Sequence, residues 1–266
     1  MSHISFLDTT ALAEALGAYA ETISVTLPDT VDSTNTLAKS HAADGDAPAL
    51  YVARTQTGGR GRLGRSFHSP AETGLYMTVA YTTDRPLTEA VRVTAGAAVA
   101  AVSAIEALTG RDVSIKWVND LYRNGCKMGG ILTEAVTLPE GRTRMVVGWG
   151  INLATAEFPD ELRAPATSLF APHEAQAVTP VLMGRLAGEI TRRLLELTEG
   201  GLWGAECLEF YRRRLLYVDT PVLCTRGSES FEGILRGVDE DYSLLVEVGG
   251  VVTPLSSGEI SVRALG

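Results

Sequence analysis

DVSIKWVNDLYRNGCKMGGILTEAVTLPEGRTRMVVGWGINL, residues 112–153, decides the fold class. It reads as a strand (DVSIKWV, 112–118), a turn (NDLYRNGCK), a second strand (MGGILTEAVT, 128–137) and a third (RTRMVVGWGINL, 142–153). Successive strands joined by turns make hairpins, whereas a doubly wound sheet would place a helix between each pair. The stretch predicts an α+β fold: a central mixed or antiparallel sheet with helices packed on one side.

Upstream, ISVTL (23–27), APALYVART (47–55) and GLYMTVAYT (74–82) are further strands. A short helix is expected over 10–20, with Thr9 or Thr10 as cap and Gly17 weakening it. A second runs from a cap at Asp32 or Ser33 to about Ala43. Residues 87–109 form an Ala-rich helix ending at Gly110, its small side chains suited to close packing on a sheet. Residues 154–178, with three prolines, read as loop; helices follow over Val181–Thr198 and around Trp203–Leu216. After Asp219 the strands become short and closely spaced (TPVLCT, ESFEGILRGV, YSLLVEV, GVVTPL, ISVRAL), which reads as a small β-barrel of about fifty residues. The expected division is 1–217 and 218–266.

The chain has 266 residues and a formal net charge of −9, so wholesale attraction to nucleic acid or an anionic membrane is not expected. No helix-turn-helix precedes the first strand, no signal peptide opens the chain, and no apolar run approaches the ~20 residues of a membrane span. Cys126, Cys207 and Cys224 lie far apart, and the four histidines show no ligand spacing. Neither a disulfide framework nor a metal site built from protein ligands is expected. Free thiols suit a reducing cytoplasm.

Against this acidic background TQTGGRGRLGR (55–65) stands out. Three arginines close together repel, and glycines raise the entropy of the chain; folding alone gives no reason to combine them. The loop lacks the G-K-[ST] of a P-loop and is not placed as a dinucleotide fingerprint. Arginine forks bind phosphate or carboxylate bidentately, and glycines let backbone N–H groups approach an anion closely. The expectation is a mobile loop that orders around an anionic ligand.

KWVNDLYRNGCKMGGI (116–131) supplies Lys116, Asn119, Asp120, Lys127, Gly129 and Gly130 in one hairpin. Lysine can neutralise a reacting carboxylate or phosphate, and aspartate can hold Mg²⁺ or orient a donor. Ser33, Thr34 and Asn35 cluster hydroxyl and amide groups at a helix start, where they can cap the helix or read a neutral polar ligand. GWGINL (148–153) adds strand glycines and Asn152.

Taken in order, these stretches closely resemble the biotin protein ligase family: DSTN, TQTGGRGRLGR, KWVNDL, K-x-GGIL at 127–132, GWGIN and SGEISVR at 257–263. Any one element is weak, but the ordered set, spanning residues 23–265, is highly specific. The start of the chain resembles the monofunctional branch, without the DNA-binding winged helix. The resemblance implies a biotin/lipoate ligase-like catalytic domain followed by an SH3-like barrel. The implied reaction is attack of the biotin carboxylate on the α-phosphate of ATP, with Mg²⁺ carried by the nucleotide. Transfer of biotin from biotinyl-5′-AMP to a lysine of a carboxylase's biotin carboxyl carrier domain follows.

Carried over by motif, Ser33, Thr34, Asn35, Gln56, Arg60, Gly61, Arg62, Lys127, Gly129 and Gly130 belong to the biotin site. Arg62, Arg65, Phe67, Asn119, Lys127 and Asn152 belong to the ATP site. Lys127, then Arg62 and Asp120, are the implied catalytic groups, and the central sheet supplies an apolar tunnel for the valeryl chain. Val118 stands where the family generally has proline, and Phe67 where tryptophan is common; ring stacking on adenine survives the second change with less area. Lipoate protein ligase shares the architecture, but GRGRLGR and the C-terminal barrel favour biotin. A non-catalytic biotin sensor is the rival of another class. The family's sheets can also pair edge to edge into a homodimer, a surface no motif marks here.

Overall fold

The longest hairpin follows from two long strands with a tight link. β8 (Cys126–Thr137) and β9 (Thr143–Asn152) pair antiparallel from Gly129 opposite Ile151 to Thr137 opposite Thr143, joined through a 3₁₀ turn at Pro139–Gly141. β9 also pairs antiparallel with β5 (Gly74–Thr83), and β5 with β3 (Ala49–Ala53). β1 (Ser24–Thr26) adds in parallel to β3 at one edge. At the other edge β7 (Asp120–Arg123) and β6 (Ser114–Lys116) complete a mixed seven-stranded sheet, ordered β1-β3-β5-β9-β8-β7-β6. These are coordinates of a computed structural model, which describes residues 6–85, 90–160, 162, 164–201, 204–226, 228–256 and 260–265.

The stretch NDLYRNGCK is therefore not one turn. Asn124 and Gly125 both have positive φ (49° and 75°), the geometry a two-residue hairpin loop requires, so Asp120–Arg123 becomes a strand. Trp117–Asn119 makes the tight link back to β6. This matters for the site, because Asp120 leaves the loop and enters the sheet opposite both Lys116 and Gly130.

The sheet is covered on both faces, not one. Leu50, Val52, Val79 and Val147 belong to the main core with α3 (Ala90–Thr109) and α4 (Pro180–Glu196). Their sequence neighbours Ala49, Tyr51, Ala80 and Val146 face the other way and pack on Ala38 and Leu37 of α2 (Thr34–Ser40). The second face escaped prediction because TNTLAKS offers only two apolar residues to it. α2 also stops short of Ala43. α1 (Thr9–Leu16) is capped by Asp8, which accepts from Ala11 N–H at 2.9 Å, rather than by Thr9 or Thr10.

α3 corrects another expectation. Its twenty residues, with mean hydropathy 1.5, have the length and composition of a membrane span. Here residues Val93 to Ile105 are mostly buried between the sheet and α4, where alanines let the helix lie close. Leu87 and Thr88, expected in the same helix, lie outside the described residues.

α5 (Ala205–Arg214) leads into a five-stranded antiparallel sheet. Its strands are β10 (Pro221–Arg226), β11 (Glu229–Val238), β12 (Leu244–Val248), β13 (Val251–Leu255) and β14 (Ile260–Ala264). Trp203, His3 and the SGE of SGEISVR lie outside the described residues. This small sheet is tied to the large one beside the β6–β7 link. The Trp117 indole N–H donates to the Tyr242 carbonyl at 2.8 Å, and the Tyr211 and Tyr242 rings meet edge to face at 5.2 Å.

Candidate active site

The Gly/Arg loop is anchored before it turns. β4 (Thr55–Gln56) lies parallel to β2 (Thr30–Val31), and Thr57 and Gly58 N–H donate to the Val31 and Asp32 carbonyls at 2.9 and 2.8 Å. This places Gln56 beside the start of α2. The loop then folds back on itself: Gly61 N–H donates to Arg65 O at 2.7 Å, and Phe67 N–H to Gly59 O at 2.8 Å. Two glycines serve this hairpin directly. A Cβ on Gly59 would come within 2.5 Å of the Phe67 carbonyl, and Gly64 takes φ 69°. The expected backbone cradle for an anion is not formed by Gly58 or Gly61, whose N–H groups are used within the fold. The positive charge of the loop is carried by the side chains of Arg60, Arg62 and Arg65.

Those side chains line one cavity of about 170 Å³ at the end of the large sheet. Arg60, Arg62, Arg65, Lys116 and Lys127 face it with a single carboxylate, Asp120. Lys127 Nζ donates to Asp120 Oδ1 at 2.6 Å. Arg62 Nη1 donates to Asn119 Oδ1 at 3.0 Å, and the Asn119 amide is oriented for this by donating its own N–H to Ile131 O at 3.0 Å. Lys116 reaches the Tyr122 hydroxyl at 3.3 Å, with its ammonium 5.3 Å from that ring's centre. Burial presses the Arg62 pKa down; Asp120 pulls it up and Arg65 pushes it down again. Burial likewise lowers Lys116, with Asp120 opposing and Lys127 and Arg65 adding to the fall. Crowded, partly desolvated cations with one counter-charge form a site that an anionic ligand relieves.

The cavity is also lined by neutral polar side chains, backed by an ion pair. Ser33, Thr34 and Asn35 are 2–4% exposed at the start of α2. Gln56 Oε1 accepts from Thr34 N–H at 2.9 Å, so Gln56 caps the helix where Ser33 makes no capping bond. Asn35 donates to Leu132 O at 3.1 Å and to Glu134 Oε2 at 2.9 Å, and its Oδ1 accepts from Thr78 at 2.7 Å. Lys39 holds Glu134 from the other side at 2.6 Å. Burial raises the Glu134 pKa, but the hydrogen bonds from Lys39 and Asn35 and the charges of Lys39 and Arg60 more than offset that and leave it lowered. Gly148 leaves room for all this, since a Cβ there would fall 2.0 Å from Asn35 Oδ1. Apolar residues complete the walls: Trp117, Ile131, Leu132 and Trp149.

Of the residues singled out in the sequence, Ser33, Thr34, Asn35, Gln56, Arg60, Gly61, Arg62, Arg65, Phe67, Asn119, Asp120, Lys127 and Gly130 line this cavity. Gly129 and Asn152 do not. A Cβ on Gly129 would meet the Gly150 carbonyl at 2.6 Å, so that glycine serves strand packing rather than ligand space. Asn152 is 5% exposed and donates to Thr167 O at 3.3 Å, while its Oδ1 is buried without a partner. Gly150 gives Phe67 its seat, for a Cβ there would lie 2.5 Å from the ring. Sequence reasoning missed Thr78 and Glu134, and it read Gly148 and Gly150 only as strand glycines. It also left Lys116 without a role. Thr78 lies among other hydroxyl residues of β5, Tyr76, Tyr81, Thr82 and Thr83, and nothing in the strand's sequence sets it apart.

Comparison with known proteins places this geometry. The sequence model of the biotin/lipoate A/B protein ligase family matches residues 27–152. The bifunctional ligase/repressor BirA of Bacillus spizizenii is 32% identical over 239 residues, covering 89% of this chain and 72% of that protein. The biotin–[acetyl-CoA-carboxylase] ligase of Mycobacterium tuberculosis is 29% identical over 236 residues, covering 86% and 85%. Among solved structures, the biotin protein ligase from Aquifex aeolicus in complex with biotin and ATP superposes with a TM-score of 0.68 at 26% identity, covering 91% of this chain and 99% of that one. With its sheet order, its arginine loop and its lysine–aspartate hairpin, the chain belongs to the biotin/lipoate A/B protein ligase family.

Proposed function

We propose that the protein is a biotin protein ligase that activates biotin with ATP and transfers it to a lysine of a biotin carboxyl carrier domain of the acetyl-CoA carboxylase type. The observation that carries this reading is the mixed lining of one cavity. Neutral hydrogen-bonding groups suit a cyclic urea, apolar walls suit an alkyl chain, and clustered cations suit a carboxylate meeting a triphosphate. In the first step a carboxylate oxygen of biotin bonds to the α-phosphorus and pyrophosphate leaves with the electrons of the broken P–O bond. Arg60, Arg62, Arg65 and Lys127 bring the two anions together and hold the charge that builds on phosphorus. Asp120 keeps Lys127 aimed at that junction. In the second step the carrier lysine's neutral amine attacks the acyl carbon, AMP departs, and the amine loses a proton.

Phe67, which lines the cavity, offers a ring to the adenine. Mg²⁺ arrives with the nucleotide in this reading. The one carboxylate lining the cavity is engaged by Lys127, a donor set that fits a cation held mainly by phosphate oxygens. We assign residues 1–217 to the catalytic unit and 218–266 to the small barrel. The net charge of −9 and the three free cysteines support a cytoplasmic enzyme that does not bind DNA.

Initial rates of pyrophosphate release with Mg-ATP and either biotin or lipoate test the reading. Biotin-dependent release supports it; release with lipoate alone moves the protein to the other branch of the family. Biotin binding without release makes it a sensor.

A further inference from the structure

Arg62 lines a second hollow besides the active-site cavity. That hollow, of about 150 Å³ and partly open, is walled by Ala90, Val91 and Thr94 of α3, Val118 of the β6–β7 link, and Ile131 and Thr133 of β8. Ile131, like Arg62, lines both spaces, so the two meet at these residues. The walls are held in place. Ile131 and Thr133, two apart on a strand, share a face, and Thr94 Oγ1 lies 2.8 Å from Thr133 Oγ1, tying α3 to that face. The Tyr211 hydroxyl donates to the Val118 carbonyl at 3.4 Å. Ala90 and Val91 are half-buried.

The two spaces differ in charge. Arg60, Arg65, Lys116 and Lys127 line the first, whereas Arg62 is the one charged group among the described residues lining the second. A triphosphate therefore belongs in the first. The second offers its guest apolar side chains and two hydroxyls, and it joins the first at an arginine assigned to the reacting phosphate. The transfer step needs a nucleophile that fits this description. A lysine side chain is a four-carbon apolar stem ending in an amine. That amine attacks only when neutral, and apolar walls beside a guanidinium disfavour its charged form.

We infer that the hollow between α3, the β6–β7 link and β8 is the channel through which the carrier's lysine side chain reaches the acyl adenylate. This rests on the biotin ligase reading and deepens it by giving the second substrate its place. The lysine ammonium gives a proton to bulk water as the side chain enters. The lone pair of the neutral nitrogen then bonds to the acyl carbon. The bond from that carbon to the phosphate oxygen breaks, its electron pair leaves with AMP, and the nitrogen releases its extra proton to water, giving an amide.

The test sorts nucleophiles by whether they need the channel. Biotinyl-5′-AMP is formed on the protein with Mg-ATP, and hydroxylamine, butylamine or a biotin carboxyl carrier domain is then added in single-turnover assays. Val91→Trp fills the hollow. It should leave adenylate formation within ~2-fold of wild type and slow transfer to the carrier and to butylamine by ~10²-fold, while capture by hydroxylamine, which has no alkyl stem, stays within ~3-fold. Ala90→Leu is a milder filling and should give the same pattern at ~10-fold, so the test survives a Val91→Trp chain that does not fold. Val91→Ala keeps the hollow open and should transfer to all three at wild-type rates. Unslowed transfer to butylamine in the filled variants would overturn the inference, since the loss would then lie in contact with the carrier's body. Equal slowing of hydroxylamine, or slowed adenylate formation with a raised KM for biotin in Ala90→Leu, would assign the hollow to other work and overturn it too. A wild-type protein that forms no adenylate from biotin sinks the ligase reading, and this inference with it; normal adenylate formation with unslowed butylamine sinks the inference alone.

Discussion

At Lys127 the structure gives both a task and a restraint. The ammonium sits at the start of β8, one-third exposed, held by Asp120 at 2.6 Å and facing three arginines across the cavity. Lys127→Ala removes a fixed charge without opening the core. Pyrophosphate release should fall ~10²–10³-fold while the melting temperature moves little. Wild-type rates in a folded variant would remove Lys127 from the chemistry. Arg62 differs, because its anchor on Asn119 ties the loop to the β6–β7 link. Arg62→Gly should loosen the grip on the acyl adenylate more than on biotin, whose head end the change leaves in place. The variant should then label serum albumin added to the assay, where the wild type labels only its carrier domain. Clean albumin in the presence of continued ATP consumption would move Arg62 to the nucleotide pocket. Most of these residues were legible because charge beside glycine has no purpose in a core. Thr78 and Glu134 were not, since each looks like an ordinary strand residue until Asn35 is placed over Gly148.

Strands were easier to read than the links between them. Long apolar runs such as GLYMTVAYT leave little freedom, and β5 begins and ends within a residue of the expected span. The β7 strand was lost because DLYR alternates too briefly to register, although Asn124-Gly125 marks the turn that creates it. The Gly/Arg loop was read as a mobile segment that orders around an anion, and the hairpin with internal bonds into which it folds was not foreseen. Its tip remains outward, with Leu63 61% exposed, so trypsin should cut at Arg60, Arg62 or Arg65 in the free protein. Biotin with ATP should slow that cleavage by engaging the arginines; equal cleavage with and without the ligands would contradict closure of the loop over them. The Lys39–Glu134 pair, which joins α2 to β8, carries a pH signature. Glu134's folded pKa is lowered, so its stabilisation is present above the ordinary carboxylate pKa and is lost as pH falls through the folded value. Glu134→Gln should lower the melting temperature by about 2–4 °C at neutral pH, for a loss of about 1 kcal/mol. The gap from wild type should close in acid, and a gap that widens there would contradict the assigned sign.

On the scale of the whole molecule, the fold class was legible from one stretch because hairpins and crossovers leave different spacings. The second covered face of the sheet was not, because α2 is short and polar. The tie between the two sheets at Trp117 and Tyr242 is a long-range contact that no local pattern announces. An acidic chain thus concentrates five cations around one carboxylate in a cavity that Ser33, Thr34, Asn35 and Gln56 also line. The most direct measurement is the mass of a biotin carboxyl carrier domain after incubation with the protein, biotin and Mg-ATP. Addition of one biotinyl group to one lysine, with AMP and pyrophosphate released in equal amounts, is the predicted result. A carrier domain of unchanged mass, or one that gains a lipoyl group when lipoate is supplied and nothing from biotin, would contradict it.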